Sequence, residues 1–162
     1  DETLRINLYG TWNTVAALAP AMQASGGAIV NVASMAGFMG VFGYSDYCAS
    51  KFGVIGLSEV LRQELRRYNI SVHVLCPPDT DTPGFALENL TKPPETKAIS
   101  AGARIMSADE VARSLIKGLA RGRFMIIPGW EGKLTCFLKR HIPAVVDLVI
   151  KSTIRKTQMT HT

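Results

Sequence analysis

Apolar positions along this chain change period several times, and each change marks an element boundary. Leu4, Leu8, Trp12, Val15 and Leu18 recur at helical spacing and predict a helix over 1–24. Pro20 is expected to bend its last turns and Gly26-Gly27 to end it. Ala28-Ile29-Val30-Asn31-Val32-Ala33, closed by Ser34, reads as a strand over 28–34 buried on both faces. A Gly-rich loop through Gly43 leads to a long helix over 44–68, whose far end from Arg62 to Arg67 is a solvated face. Leu57, Val60, Leu61 and Leu65 form an apolar stripe on that helix, more than a sheet alone needs. Ser71-Val72-His73-Val74-Leu75-Cys76 is the next buried strand, with His73 a structural histidine. Residues 84–106, rich in Pro, Gly, Thr and Lys, are expected to be the least regular segment. Ser107-Ala108-Asp109-Glu110 then forms a capping box for a helix to Ala120; Gly122 ends it, and Phe124 to Ile127 make a short last strand. Helix and strand in alternation predict an α/β fold, a doubly wound parallel sheet with crossover helices.

Composition adds scale. A chain of 162 residues, 47% of them hydrophobic, suffices for one buried core. Cys48, Cys76 and Cys136 show no paired or metal-like spacing, which suits a reducing compartment. Cys48 follows Tyr47 but turns away from it on a helix, as a core or interface residue. The charge is uneven: residues 133–162 hold six Lys/Arg and one acid, a net of +5 equal to that of the whole chain. Leu134, Phe137, Leu138, Ile142, Val145, Val146, Leu148, Val149 and Ile150 interleave with these charges. The chain is therefore expected to divide into residues 1–132 and a basic amphipathic segment, 133–162. That segment has no run near the roughly twenty apolar residues that span a bilayer, but it suits contact with an anionic membrane surface. A partner subunit is its other expected neighbour. Nucleic acid is not expected, because the basic residues lack a recognised fold or aromatic platform.

The candidate chemistry lies in Tyr47-Cys48-Ala49-Ser50-Lys51. Positions four apart share a helix face, so the Tyr47 hydroxyl and the Lys51 ammonium are expected to enter one pocket. A phenol titrates near about 10, and a fixed positive charge beside it favours the phenolate. Ser34 falls at the carboxyl end of its strand, where ligand sites gather in α/β sheets. A hydroxyl beside an activated phenol suits a carbonyl oxygen that gains negative charge.

Asn7 with Gly10, then Ser34, Tyr47 and Lys51 at intervals of 27, 13 and 4, resemble the catalytic tetrad of the short-chain dehydrogenase/reductase family. The resemblance covers residues 1 to about 125 and implies a Rossmann-type fold. It implies that Tyr47 donates a proton, Lys51 lowers its pKa and holds the nicotinamide ribose, Ser34 binds the carbonyl oxygen, and Asn7 holds a relay water. The family's Gly-rich phosphate loop does not occur, so the chain reads as the C-terminal portion of a longer protein. After strand 71–76, Pro77 and Thr82 match the family while Pro78 replaces its glycine, removing an N–H donor. By this resemblance Pro77, Pro78, Thr80 and Thr82 join Tyr47 and Lys51 as cofactor contacts, and 84–106 is the lid over the substrate.

Residues 76–97, with Pro77-Pro78-Asp79-Thr80-Asp81-Thr82-Pro83-Gly84 and Thr91-Lys92-Pro93-Pro94-Glu95-Thr96, resemble the 3-ketodihydrosphingosine reductase branch of that family. The resemblance implies NADPH as cofactor, with NADH left open, and a long-chain keto-lipid substrate. It also implies a homodimer or homotetramer through helices 1–24 and 44–68, and a cytoplasmic location or the cytosolic face of a membrane, that of the endoplasmic reticulum in a eukaryote. No metal is implied. Reduction of a steroid, retinoid or acyl-thioester ketone stays open, as does a non-catalytic dimeric scaffold on the same fold.

Overall fold

The computed structural model describes residues 2–160. The first helix runs as α1 (Glu2–Leu4), a π-helical stretch (Arg5–Tyr9) and α2 (Gly10–Met22). The wide turn is visible in the bond from the Gly10 N–H to the Arg5 carbonyl. Turns of this type recur where a helix must re-aim one side chain, and here the stretch carries Asn7. Pro20 lies inside α2, and Gly26 and Gly27 take positive φ just beyond it.

Strand β1 (Gly27–Val32) and β2 (Ile70–Leu75) pair in parallel from Gly27–Ile70 to Val32–Leu75, and β5 (Met125–Ile126) joins the far side of β2. The three-stranded order β1-β2-β5 puts the crossover helix α3 (Ser45–Glu64) between the first two strands. β1 stops two residues short of Ser34, because that side chain caps a short 3-10 turn (Met35–Gly37), accepting from the Ala36 N–H at 3.2 Å. α3 gives way to a 3-10 turn (Leu65–Tyr68), which Asn69 ends in the left-handed conformation.

Two buried clusters hold α3 and α2 to the sheet. Val15, Ala19, Leu65, Ile70 and Val72 form one, with Leu61 packed against it; Ala33, Val54, Ile55, Val74 and Cys76 form the other. The stripe expected on α3 is thus divided: Leu65 is core, Leu61 lies beside the core, and Val60 faces outward. Asn31 Nδ2 donates to Ser58 Oγ at 2.9 Å, a buried polar bond pinning α3 to β1. His73 is satisfied structurally, its Nδ1 lying 2.7 Å from the Arg123 carbonyl.

The segment expected to be irregular is largely helical. Beyond β3 (Thr80–Asp81), α4 (Pro83–Thr91) and α5 (Pro94–Ser100) occupy most of 84–106. Each opens on a proline, whose fixed φ suits a first helical position. Thr82 caps α4 by accepting from the Phe85 N–H at 3.1 Å. β4 (Met106–Ser107) pairs with β3, and the Ser107–Glu110 capping box opens α6 (Ala108–Ala120). The chain continues through α7 (Trp130–His141) and α8 (Pro143–Thr160), which lies along α5. Lys139 Nζ donates to Asp147 at 2.7 Å across the corner between α7 and α8.

Candidate active site

β1 and β2 deliver their carboxyl ends to the same edge, and a cavity of about 470 Å³ opens there. Ser34 reaches it from the end of β1, and Tyr47 and Lys51 from the first two turns of α3. Pro77, Pro78, Thr80 and Thr82 reach it from the strap after β2. Hydrogen bonds tie the two strand ends together: Ala33 N–H to the Leu75 carbonyl at 2.8 Å and Met35 N–H to the Pro77 carbonyl at 3.1 Å.

Asn7 is the exception, since it does not line the cavity. Its Nδ2 donates to Ser50 Oγ at 3.1 Å, and Ser50 Oγ donates to the Tyr47 carbonyl at 2.7 Å. Asn7 therefore touches the back of the turn that carries Tyr47. Its own carbonyl accepts from the Thr11 hydroxyl at 2.7 Å.

The electrostatics depart from what the sequence led one to expect. Burial raises the Tyr47 phenol above its ordinary value, and a hydrogen bond with Ser34 is the influence that lowers it. Lys51 stands beside the ring. Its Nζ donates to the Val32 carbonyl at 3.1 Å and lies 5.6 Å from the centre of the Tyr47 ring. Burial lowers the Lys51 pKa in turn. Tyr47 is thus a buried phenol held beside a serine.

The strap hydroxyls are internally engaged. Thr80 Oγ1 donates to the Pro78 carbonyl at 2.8 Å and Thr82 Oγ1 to the Thr80 carbonyl at 3.4 Å. Gly37 controls the approach of the β1 loop to α3. A Cβ there would lie 2.9 Å from the Lys51 carbonyl oxygen and 2.8 Å from Ile55 Cδ1, so a side chain would displace the turn carrying Lys51.

Next to Tyr47 the cavity holds a group that the sequence did not reveal. Lys92, 6% exposed, ends α4 with its Nζ 3.3 Å from Asp79 and 3.3 Å from Glu88. The Tyr44 hydroxyl donates to the same Glu88. Tyr44 has a cysteine, not a lysine, four residues on; its cation comes from a distant helix end, which local spacing does not foretell. Met35, Met39, Val41, Phe85, Ile99 and Ala103 make the rest of the wall largely apolar.

A parallel α/β sheet with serine, tyrosine and lysine in one cavity at its strand ends defines a protein of the dehydrogenase class. The family model described as short chain dehydrogenase matches residues 1–92. The chain belongs to that family. It is 46% identical over 141 residues to a 3-ketodihydrosphingosine reductase of Dictyostelium discoideum, covering 85% of this chain and 42% of that protein. A 3-ketodihydrosphingosine reductase of Bos taurus is 40% identical, with 84% and 42% covered. A 3-dehydrosphinganine reductase of Danio rerio is 42% identical, with 83% and 42% covered. The chain thus spans under half the length of these relatives. Among solved structures, a short-chain dehydrogenase from Sphingobium yanoikuyae in complex with NADPH superposes with a TM-score of 0.65 at 28% identity, over 96% of this chain and 54% of that one. One from Burkholderia cenocepacia in complex with NADP reaches 0.76 at 20% identity, over 91% and 56%, and shares the fold.

Proposed function

We propose that the intact protein is an NADPH-dependent carbonyl reductase that converts 3-ketodihydrosphingosine to dihydrosphingosine, a step of sphingolipid synthesis. The observation that carries this reading is the meeting of Ser34, Tyr47 and Lys51 in one cavity whose remaining wall is mostly apolar. The names of the relatives supply the substrate class, and the Sphingobium structure supports the choice of NADPH.

The residues fit the nicotinamide–ribose end of such a cofactor. An ammonium has three donors, and Lys51 gives the Val32 carbonyl one, leaving donors for ribose hydroxyls. Thr80 and Thr82 place hydroxyl oxygens beside it on the strap. Pro78 narrows the backbone contribution there, having no N–H. When bound, the cofactor supplies hydride.

Tyr47, kept protonated by burial, donates its proton to the carbonyl oxygen as charge develops. Ser34 hydrogen-bonds the same oxygen. Asn7 steadies the Tyr47 turn through Ser50. In the intact protein Tyr47→Phe should lower ketone reduction by roughly 10²–10⁴-fold while leaving NADPH binding nearly unchanged. Near-normal turnover by that variant would overturn the assignment.

Assembly and location belong to the same proposal. The protein assembles as a homodimer or homotetramer through the first helix and α3, where Tyr9, Trp12, Phe52 and Val60 are exposed. It also rests peripherally on a membrane, on the cytosolic face, through the exposed apolar residues of α7 and α8. Among the described residues no helix is long and apolar enough to cross a membrane.

A further inference from the structure

The cavity carries an ionic box that the reduction of a plain ketone does not require. Lys92 is buried and held 3.3 Å from each of Asp79 and Glu88. Its Nζ also stands 4.8 Å from the centre of the Phe85 ring and 6.0 Å from that of Tyr44. The cation is therefore enclosed, whereas the side chains of Asp79 and Glu88 retain 33% and 43% exposure and line the cavity. Two carboxylates about one ammonium leave the box itself one negative charge, while Lys51 brings a second cation to the cavity beside Tyr47.

Carboxylates that keep this much exposure are open to a cation arriving in the cavity. Tyr44 contributes a hydrogen bond to Glu88 but no charge, because burial and Glu88 hold its phenol well above the ordinary range. Tyr44, bonded to Glu88, packs edge-on against Tyr47 with ring centres 5.7 Å apart, which sets the box next to the reacting oxygen. A ligand with its carbonyl at Ser34 and Tyr47 would thus meet the box with atoms close to that carbonyl. The chemistry that fits is a cation on the neighbouring carbon.

We propose that Asp79 and Glu88 form an ammonium-recognition subsite, so that the cavity selects long-chain ketones bearing an amine next to the carbonyl. This rests on the reading under Proposed function and deepens it. Lys92 is then a positioning residue, holding both carboxylates at the wall and leaving one carboxylate charge of the box for the substrate amine. Phe85, Met39 and Ile99 supply apolar surface for the chain.

The test uses the intact protein with NADPH and two substrates in the same micelles: 3-ketodihydrosphingosine and the same molecule with hydrogen in place of its amine. The readout is the ratio of their kcat/KM values. The parent protein should favour the amine at least tenfold. Asp79→Asn and Glu88→Gln should each reduce that ratio by about 10- to 100-fold, the range of a hydrogen bond to a charged group. Lys92→Met, which frees both carboxylates, should raise it. Equal kcat/KM for the two substrates in the parent overturns the subsite while leaving the reductase reading in place. A ratio unmoved by either carboxylate substitution, both substrates slowing together, also overturns it. If the parent reduces neither ketone, the reductase reading fails and the subsite with it. The comparison in the parent decides the matter should a variant lose its fold.

Discussion

Lys51 donates from Nζ to the carbonyl of Val32, the last residue of β1, at 3.1 Å, joining the helix of Tyr47 to the strand that delivers Ser34. The bond gives a half-buried amine that has no carboxylate partner among the described residues an acceptor. Burial lowers its pKa from 10.5, so in the folded protein the charged form is disfavoured. A group with a depressed folded pKa gives full stability above its unfolded value and loses it as pH falls through the folded one. For Lys51 the cost therefore lies below pH 10.5. Lys51→Met should abolish reduction and weaken NADPH binding, yet melt no lower than the parent at neutral pH. The difference in melting temperature should narrow as pH approaches 10.5, a trend that thermal scans across pH will check. A variant that melts well below the parent at pH 7 would instead show that the Val32 bond outweighs the cost of burying the charge.

Gly37 offers a test of how tightly this corner is built. An added methyl meets backbone at Lys51 and the flexible end of Ile55. Overpacking of this kind costs typically about 1–3 kcal/mol. Gly37→Ala should lower the melting temperature accordingly and reduce kcat, because the turn bearing Lys51 must shift. Adding Ile55→Val removes Cδ1 but not the backbone contact, so it should recover only part of the stability. Complete recovery in the double variant would show that the side chain alone set the limit.

The capping box at α6 lies away from the cavity and provides a contrast. Ser107 Oγ accepts from the Glu110 N–H at 3.2 Å while the Ser107 N–H donates to Glu110 Oε2 at 2.9 Å. Ser107→Ala should cost about 1 kcal/mol, as loss of an N-cap ordinarily does. Denaturant unfolding should register that loss with kcat unchanged. The Ser107 N–H and Arg104 hold the Glu110 carboxyl below its ordinary value of 4.5. Its contribution is present above that pH and fades as pH falls through the folded value. The destabilisation caused by Glu110→Gln should therefore shrink on acidification.

Legibility followed the range of the interactions. The strand runs and the capping box are local patterns, and they lie where the apolar period and the Ser-x-x-Glu spacing put them. Ser34, Tyr47 and Lys51 are separated in sequence, yet fixed intervals brought them to one cavity wall. Three features escaped. The helices α4 and α5 were hidden by their prolines, which signal loops in composition but serve as first-turn residues here. The bond from Lys51 to the Val32 carbonyl ties α3 to the end of β1, a partner that spacing along α3 does not disclose. The Lys92 box depends on the fold returning α4 over Tyr44, a tertiary event without a local signature.

Membrane contact can be tested on α7 and α8, where Leu134, Phe137, Val145, Leu148 and Val149 are exposed, Leu148 to 68% and Val149 to 59%. Asp147, the acid of this segment, is tied to Lys139, so Lys133, Arg140, Lys151, Arg155 and Lys156 face no carboxylate within it. Burial contributes about 0.8 kcal/mol per methylene, and each basic residue near an anionic surface about 1 kcal/mol. The intact protein should co-sediment with anionic liposomes, weakly with neutral ones, and release as salt rises. Deleting residues 133–162 is a poor test, because Thr135 lines the cavity and α8 covers α5. Phe137→Gln with Leu148→Gln changes exposed positions and spares both contacts. It should abolish liposome binding and raise the apparent KM for a long-chain ketone presented in vesicles. A short soluble ketone should be reduced at the parent's rate. Liposome binding that survives both this change and the pair Lys151→Glu with Arg155→Glu would remove the membrane role, leaving α7 and α8 as packing for the lid.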